Sequence, residues 1–166
     1  MKKTILEIEF EANVKAYKLL IYKICRMYVN SHDDIQDLYQ DIIIQLWRSY
    51  PKFRGDSKFS TWLYRIAINT ALTNFRKQKR SVQTTDVEIQ NIEIPDYDHD
   101  GQKEDQHQQL YTAIQALNDV EKSIVMLYLE DKSYDEMEEV LGISNATLRV
   151  KMNRIKDKLR TLTNNK

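Results

Sequence analysis

An acidic stretch near the middle of the sequence divides the chain into two parts. From Ser81 to about Gln106 there are eight Asp or Glu residues and a single lysine. Pro95 and Gly101 interrupt any helical pattern there, and the like charges repel one another in a compact state. A structureless run of this length is uncommon inside one domain. The sequence therefore predicts two domains, residues 1–80 and 107–166, joined by an acidic linker over residues 81–106.

Both parts carry the apolar spacing of α-helices. Only three glycines and two prolines occur in 166 residues, too few for a fold built from strands and turns. Residues that can cap helices precede several apolar stretches: Ser31, Ser57, Asn118, Ser133 and Ser144. The sequence predicts an all-α protein of two small helical domains, with helices over 4–29, 33–50, 58–79, 107–117, 119–130, 134–141 and 145–162.

Several classes of protein are excluded by what the sequence contains. No run of about 18 apolar residues occurs, and acids follow the first residues too soon for a signal peptide, so we expect a cytoplasmic protein without membrane insertion. Cys25 lies in an apolar helix and is expected in the core. His99 and His107 lack a ligand spacing, which predicts no metal site. No glycine-rich phosphate loop is present, so we expect no cofactor and no enzyme activity.

Residues 48–80 form a basic segment with interleaved aromatic residues. It contains nine Lys or Arg residues and one acid, Asp56, in a chain whose net charge is zero. Cations displace counterions from phosphates, and aromatic rings such as those of Phe59, Trp62 and Tyr64 can stack on unpaired bases. The segment is therefore a candidate nucleic-acid groove, with a solvated helix as the simpler alternative.

The last two predicted helices have the layout of a helix-turn-helix. Gly142 can end the first helix in the left-handed conformation, and the second restarts after Ser144. One face of that second helix is apolar and predicts core residues: Leu148, Met152, Ile155, Leu159 and Leu162. Its other face would lie in a major groove, where Val150 can meet a thymine methyl group and Arg149 a guanine or a phosphate. We expect Lys158, further along, to contact phosphates in any sequence.

Taken together, these motifs resemble those of the extracytoplasmic-function sigma factors of bacterial RNA polymerase, which are small two-domain sigma factors. The resemblance covers most of the chain. It rests on DDIQDLYQDIIIQLW over residues 33–47, FRGDSKFSTWLYRIAINTALTNFRK over residues 53–77, and ALNDVEKSIVMLYLEDKSYDEMEEVLGISNATLRVKMNRIKDKLR over residues 116–160. Two positions depart from related patterns: Leu63 replaces a second aromatic residue of housekeeping sigma factors, and Glu138 replaces a small residue usual in helix-turn-helix proteins.

The resemblance implies a division of roles among the residues. The beta-prime clamp of core RNA polymerase would dock on one stripe, Asp34, Asp37, Asp41 and Gln45, and the beta flap would contact the second domain. The −10 promoter element would be read and opened by a loop and the helix after it: Arg54, Asp56, Ser57, Lys58, Trp62, Arg65, Asn69 and Arg76. The −35 element would be read from the last helix: Asn145, Ala146, Thr147, Arg149, Val150, Asn153 and Arg154. Promoter DNA and an anti-sigma factor are the further partners that the family implies.

Within this resemblance, the ring of Trp62 is expected at the upstream edge of the DNA bubble and not in the core. Two other interpretations of the chain remain open. A helix-turn-helix regulator that does not bind core polymerase would explain only the second domain. A nuclease would use Asp34, Asp37 and Asp41 as metal ligands, although no second carboxylate cluster accompanies them.

Overall fold

A computed structural model of the chain describes residues 2–78 and 104–164. The chain separates into two compact units, Met1–Pro95 and Asp96–Lys166. Within the described ranges the regular structure is helical and contains no strand. The first unit holds α1 (Ile5–Ala16), α2 (Lys18–Tyr28), α3 (His32–Ser49), a 3₁₀ turn (Tyr50–Lys52) and α4 (Phe59–Gln78); the second holds α5 (Glu104–Gln115), α6 (Asp119–Leu129), α7 (Tyr134–Leu141) and α8 (Asn145–Asn164). The all-α prediction is confirmed.

Most of the buried side chains described in the first unit come from three helices. Helices α2, α3 and α4 pack against one another, and each contributes fully buried side chains, which include Ile21, Ile24, Ile42, Leu46, Leu63 and Ala71. Burying such a side chain stabilises the fold by about 1.5–3 kcal/mol. Leu63 and Ala67 of α4 are both fully buried in this core.

The prediction of one continuous helix over residues 4–29 is wrong, because the helix is interrupted at Tyr17. Tyr17 has φ −110° and ψ 14°, which is not helical, and its N–H donates to the carbonyls of both Asn13 and Val14. Its ring packs on Phe59 at 5.3 Å between centroids. The break allows α1 to bury Phe10 and Val14, although the apolar spacing runs through residue 17 without interruption.

The boundaries of α3 and α4 follow local hydrogen bonds. Ser31 caps α3 as predicted, since its hydroxyl accepts a hydrogen bond from the N–H of Asp34 at 3.1 Å. The prediction that Ser57 caps the next helix is wrong. Helix α4 begins at Phe59, and the carbonyl of Lys58 accepts its first intrahelical bond, from Trp62. Lys58 therefore occupies the capping position.

Over residues 104–164 the second unit has four helices, and the last two form the predicted helix-turn-helix. Reciprocal capping boxes begin α6 (Asn118 with Glu121) and α7 (Ser133 with Glu136), as expected from the sequence. Gly142 ends α7 with φ 68°, in the left-handed region that favours glycine. Helix α5 begins at Glu104, so it includes residues that the sequence assigned to the linker.

Along α8, burial agrees with the predicted face only in the first part of the helix. Leu148, Met152 and Ile155 are buried. Leu159 is half-buried, and Leu162 is 43% exposed, so the prediction of a core position for Leu162 is wrong. Helix α8 runs to Asn164, and the side chains of its last turn are exposed.

Candidate functional site

The predicted polymerase-binding stripe lies on the exposed face of α3. Asp34, Asp37 and Asp41 are exposed, and Gln45 is half-buried. The adjoining face of the helix carries buried Ile35, Leu38 and Ile42, which fixes the face that the acids occupy. The stripe is therefore held in one orientation by the core beneath it.

A shallow depression between α3 and α4 includes the three acids of this stripe. Its other lining residues are Val29, Leu38, Ala71 and Asn74. The side-chain amide of Asn74 donates to Oδ2 of Asp41 at 2.7 Å, so α4 orients one carboxylate of the stripe. An acidic rim around an apolar floor can receive a partner with basic and apolar side chains.

These acids do not form a metal site in the structure. Within residues 2–78 and 104–164, no group of three or more His, Cys, Asp or Glu side chains lies close enough to hold a metal ion. The nuclease interpretation has no geometric support in the described part of the chain.

The loop before α4 presents charged side chains to solvent. Arg54, Asp56 and Lys58 are exposed, and Ser57 is half-buried. Gly55 has φ 77°, which other residues rarely adopt, and this conformation turns the chain between the 3₁₀ helix and α4. The loop thus extends from a rigid support on both sides.

The predicted stripe along α4 is only partly described. Arg65 and Asn69 are exposed, and Trp62 is half-buried. The side chain of Arg76 lies outside the described residues. Arg65 interacts with other groups of the fold, so its side chain is partly restrained.

Trp62 belongs to an aromatic cluster, which we define as Phe10, Tyr17, Trp47, Tyr50, Phe53, Phe59 and Trp62. Its ring lies 5.0 Å from Phe53, 5.3 Å from Phe59 and 6.2 Å from Tyr50, between centroids. The Trp62 ring is therefore half-buried among these rings and is not one of the buried core residues; its expected place at the upstream edge of the bubble stays a prediction. Sequence periodicity could not show the cluster, because its members come from α1, α3, the 3₁₀ turn, the loop and α4.

The predicted outward face of α8 is exposed. Ala146, Thr147, Arg149, Asn153 and Arg154 are exposed, Asn145 is half-buried, and Val150 is 51% exposed. Their exposure follows from the burial of Leu148, Met152 and Ile155 on the opposite side. A solvent-exposed valine beside Arg149 is unfavourable in water but suits a groove that contains thymine methyl groups.

A hydrogen-bonded network at the start of α8 was not anticipated from the sequence. Nε of Arg149 donates to Oδ1 of Asn145 at 2.8 Å, and the amide nitrogen of Asn145 donates to Oδ1 of Asp135 at 2.8 Å. The guanidinium carbon of Arg149 lies 4.5 Å from the centre of the Tyr134 ring. The four-residue spacing of Asn145 and Arg149 was visible in the sequence, whereas the contact with α7 was not.

Glu138 has a defined role in the turn. Its carboxylate accepts a hydrogen bond from the backbone N–H of Asn145 at 3.2 Å. An acid near a helix N-terminus is stabilising, because the first N–H groups of a helix lack partners. This contact gives a physical reason for a charged residue at a position where helix-turn-helix proteins usually have a small one.

Lys158 does not project freely toward a ligand. Its Nζ lies 3.0 and 2.9 Å from the two carboxylate oxygens of Glu121 on α6. A DNA phosphate would therefore compete with Glu121 for the ammonium group of Lys158. The ion pair with Glu121 holds α8 against α6.

Cys25 lies in the core of the first unit, as predicted. It is fully buried, and burial raises the pKa of its thiol to about 12. Burial, with a smaller contribution from the charge of Cys25, raises the pKa of Tyr39 to about 12. Within the described residues, the hydroxyl of Tyr39 has no hydrogen-bond partner. Both groups stay neutral at physiological pH.

No helix in the described part of the chain is long and apolar enough to cross a membrane.

Comparisons with known proteins identify the two units. The family model for Sigma-70 region 2 matches residues 14–81, and the model for Sigma-70, region 4 matches residues 107–159. The ECF RNA polymerase sigma-E factor of Escherichia coli (strain K12) is 29% identical over 161 residues, which span 89% of this chain and 83% of that protein. The protein of the same description from Haemophilus influenzae is also 29% identical, over 89% of this chain and 84% of its own length.

Two solved structures share the fold. CnrH in complex with the cytosolic domain of CnrY matches with a TM-score of 0.67 and 19% identity, over 95% of this chain and 89% of that one. The sigma factor RpoE, in complex with the anti-sigma factor NepR from Bartonella quintana, matches with a TM-score of 0.71 and 18% identity, over 95% and 98% of the two chains.

Proposed function

The chain belongs to the extracytoplasmic-function sigma factors of bacterial RNA polymerase, and from this premise we propose how its residues act. It binds core RNA polymerase and directs promoter-specific initiation of transcription. A helix-turn-helix regulator outside the polymerase is not favoured, because that interpretation leaves the region 2 match over residues 14–81 without a role. We place its action in the cytoplasm and assign it no catalytic step of its own.

The acidic stripe on α3 is the proposed docking surface for the beta-prime clamp of the polymerase. Three exposed carboxylates lie around a shallow apolar depression, and Asn74 fixes the orientation of Asp41. A basic partner would gain charge complementarity along the stripe and apolar contact at its floor. This pre-oriented acidic surface is the observation that carries the proposal.

The loop at Arg54–Lys58 and the exposed face of α4 are the proposed readers of the −10 element. A flipped base leaves its stack at a cost of a few kcal/mol, which contacts in a protein pocket must offset. The left-handed turn at Gly55 and the rigid aromatic cluster beside it support such a pocket. Arg65 and Asn69 would follow the separated strand along α4.

The exposed face of α8 is the proposed reader of the −35 element. Arg149 and Val150 lie next to each other at the start of the helix, where recognition helices reach base edges. Arg149 and Val150 supply only a few base contacts, so this domain alone should bind DNA weakly. Core polymerase is needed to hold both domains on one promoter. The beta flap is the expected support for the second unit.

A separate anti-sigma factor is the proposed regulator of this chain. Support comes from the similar sigma factor RpoE, whose solved structure contains the anti-sigma factor NepR. An inhibitor of this kind would block the docking of polymerase or of DNA.

The deciding experiment is transcription in vitro with purified core polymerase, followed by mapping of start sites. We expect specific initiation only when both the chain and the core enzyme are present. A chain that binds a promoter tightly without core polymerase and starts no transcription would contradict the proposal.

One charge reversal tests the docking surface. Asp37→Lys should weaken binding to core polymerase by roughly tenfold or more, because a like charge would then face a basic partner. Glu9→Lys is the matched control, since it makes the same charge change at an exposed position of α1. Equal affinity of the two variants for core polymerase would refute the assignment of the stripe.

A further inference from the structure

We propose that Asp135 and Asn145 form a positioning relay that holds Arg149 in the one orientation able to read a guanine. In this view α7 helps to determine which base pair the −35 reader accepts, although Asp135 need not touch DNA. The inference rests on the proposed reading of the −35 element by α8.

Arg149 has a restricted set of free donors in the structure. Its Nε–H donates to Asn145 at 2.8 Å. A guanidinium can pair bidentately through either an edge that includes Nε or the edge formed by its two terminal amino groups. With Nε engaged, the terminal edge is the two-donor edge left for O6 and N7 of a guanine.

Asn145 can satisfy its partners in only one orientation. A carboxylate accepts hydrogen bonds and a guanidinium donates them. The amide nitrogen of Asn145 must therefore face Asp135, and its oxygen must face Arg149, as observed. Exchange of the two amide atoms would break both bonds, so Asp135 dictates the side of Asn145 that accepts from the arginine.

Tyr134 fixes the plane of the same guanidinium. The Arg149 carbon lies 4.5 Å from the centre of the ring, a distance at which a cation is attracted to an aromatic face. Tyr134 is itself held at the first position of α7 by the capping box of Ser133 and Glu136. Two independent contacts, one in the plane of the guanidinium and one to its face, thus restrict Arg149 before DNA arrives.

The main chain of the relay is anchored as well. Glu138 accepts from the backbone N–H of Asn145, which joins the start of α8 to α7 across the turn. A long arginine side chain normally loses rotamer freedom when it binds a base. The relay restricts Arg149 before binding and so removes part of that loss in advance. This gain applies only to the side-chain orientation that points at one base pair.

The test measures base discrimination of the full chain assembled with core polymerase. Promoters that carry each single substitution in the −35 element compete for the holoenzyme, and the profile of relative affinities is recorded. Arg149→Ala first identifies the base pair that Arg149 reads, as the position where discrimination is lost. Asp135→Ala should then reduce discrimination at that same position by roughly three- to tenfold, a part of what one bidentate pair provides.

Two control variants separate positioning from charge. Asp135→Asn removes the negative charge but keeps an oxygen that can accept from Asn145, so discrimination should be retained. Glu139→Gln removes one charge from the same exposed side of α7 and should raise affinity for all sequences alike. In the double variant, Asp135→Ala should add nothing to the effect of Arg149→Ala. Thermal unfolding of each variant checks that the fold is intact.

The outcomes distinguish the relay from the function on which it rests. If Arg149→Ala flattens one position while Asp135→Ala leaves the profile unchanged, or weakens all positions equally, the relay is refuted and the −35 assignment stands. If Arg149→Ala changes no position, the assignment of Arg149 as a base reader fails, and the relay fails with it.

Discussion

Replacement of Trp62 by alanine tests the aromatic cluster and strand opening together. Complete burial of an aromatic ring makes its truncation to alanine cost about 3–5 kcal/mol. The Trp62 ring is half-buried and contacts three other rings at 5.0, 5.3 and 6.2 Å. We therefore expect Trp62→Ala to lower the unfolding free energy of the first unit by about 2–3 kcal/mol. Trp62→Phe keeps a ring and should lose about 1 kcal/mol.

The assay for stability is urea denaturation followed by tryptophan fluorescence. Both tryptophans of the chain lie in the first unit, so Trp47 remains as a reporter when Trp62 is replaced. Leu19→Ala is a suitable control, because Leu19 is apolar, 48% exposed and on a helix of the same unit. Its cost should stay within about 0.5 kcal/mol. A similarly small cost for Trp62→Ala would refute the structural role of the ring.

The DNA role is measured where the variant is still folded. Trp62→Ala should reduce permanganate reactivity of bubble thymines on a duplex promoter. A template mismatched across the −10 element should restore open-complex formation, because the unpairing cost has been removed beforehand. Equal defects on both templates, in folded protein, would assign strand opening to other residues.

Three further changes probe other parts of the structure. Gly142→Ala should destabilise the second unit by about 1–2 kcal/mol in thermal unfolding, because its φ of 68° is unfavourable for alanine even though no atom lies within 4 Å of the added carbon. Lys158→Ala should cost about 0.2–1 kcal/mol of stability through loss of the Glu121 ion pair, and should change DNA affinity less than Arg154→Ala does. The stabilisation that comes from keeping Cys25 and Tyr39 neutral should be fully present below pH 9. The free energy of unfolding should then decrease as pH rises toward 12, by up to about 1.4 kcal/mol per pH unit for each of the two groups. The decline follows because unfolded Cys25 and Tyr39 ionise at about 9.0 and 10.0, whereas both folded pKa values are about 12. A Cys25→Ala variant should show a shallower decline in denaturation measured across that range.

Local features of the sequence were sufficient to predict most helix boundaries. A capping box needs only residues three apart, so the starts of α6 and α7 could be read directly. The helix-turn-helix was equally visible, because a glycine with a left-handed conformation separates two amphipathic segments. Exposure of the predicted reader residues on α8 followed from the same periodicity.

Contacts between distant residues account for what the sequence did not reveal. Tyr17, where α1 ends, packs on the distant Phe59, and the half-burial of Trp62 comes from rings of several segments. The ion pair of Lys158 with Glu121 joins residues 37 positions apart. A periodic pattern identifies which side of a helix is apolar, but it does not identify which polar group on another helix will meet it.

The complete burial of Cys25 makes the chain suitable for distance measurements between its two domains. This is the only cysteine in the sequence, and a buried, neutral thiol reacts poorly with maleimide dyes. A pair of cysteines introduced at exposed positions, one in each unit, would therefore carry fluorophores without removal of the native residue. Energy transfer between them could follow the separation of the two promoter readers in free protein, with core polymerase and on DNA.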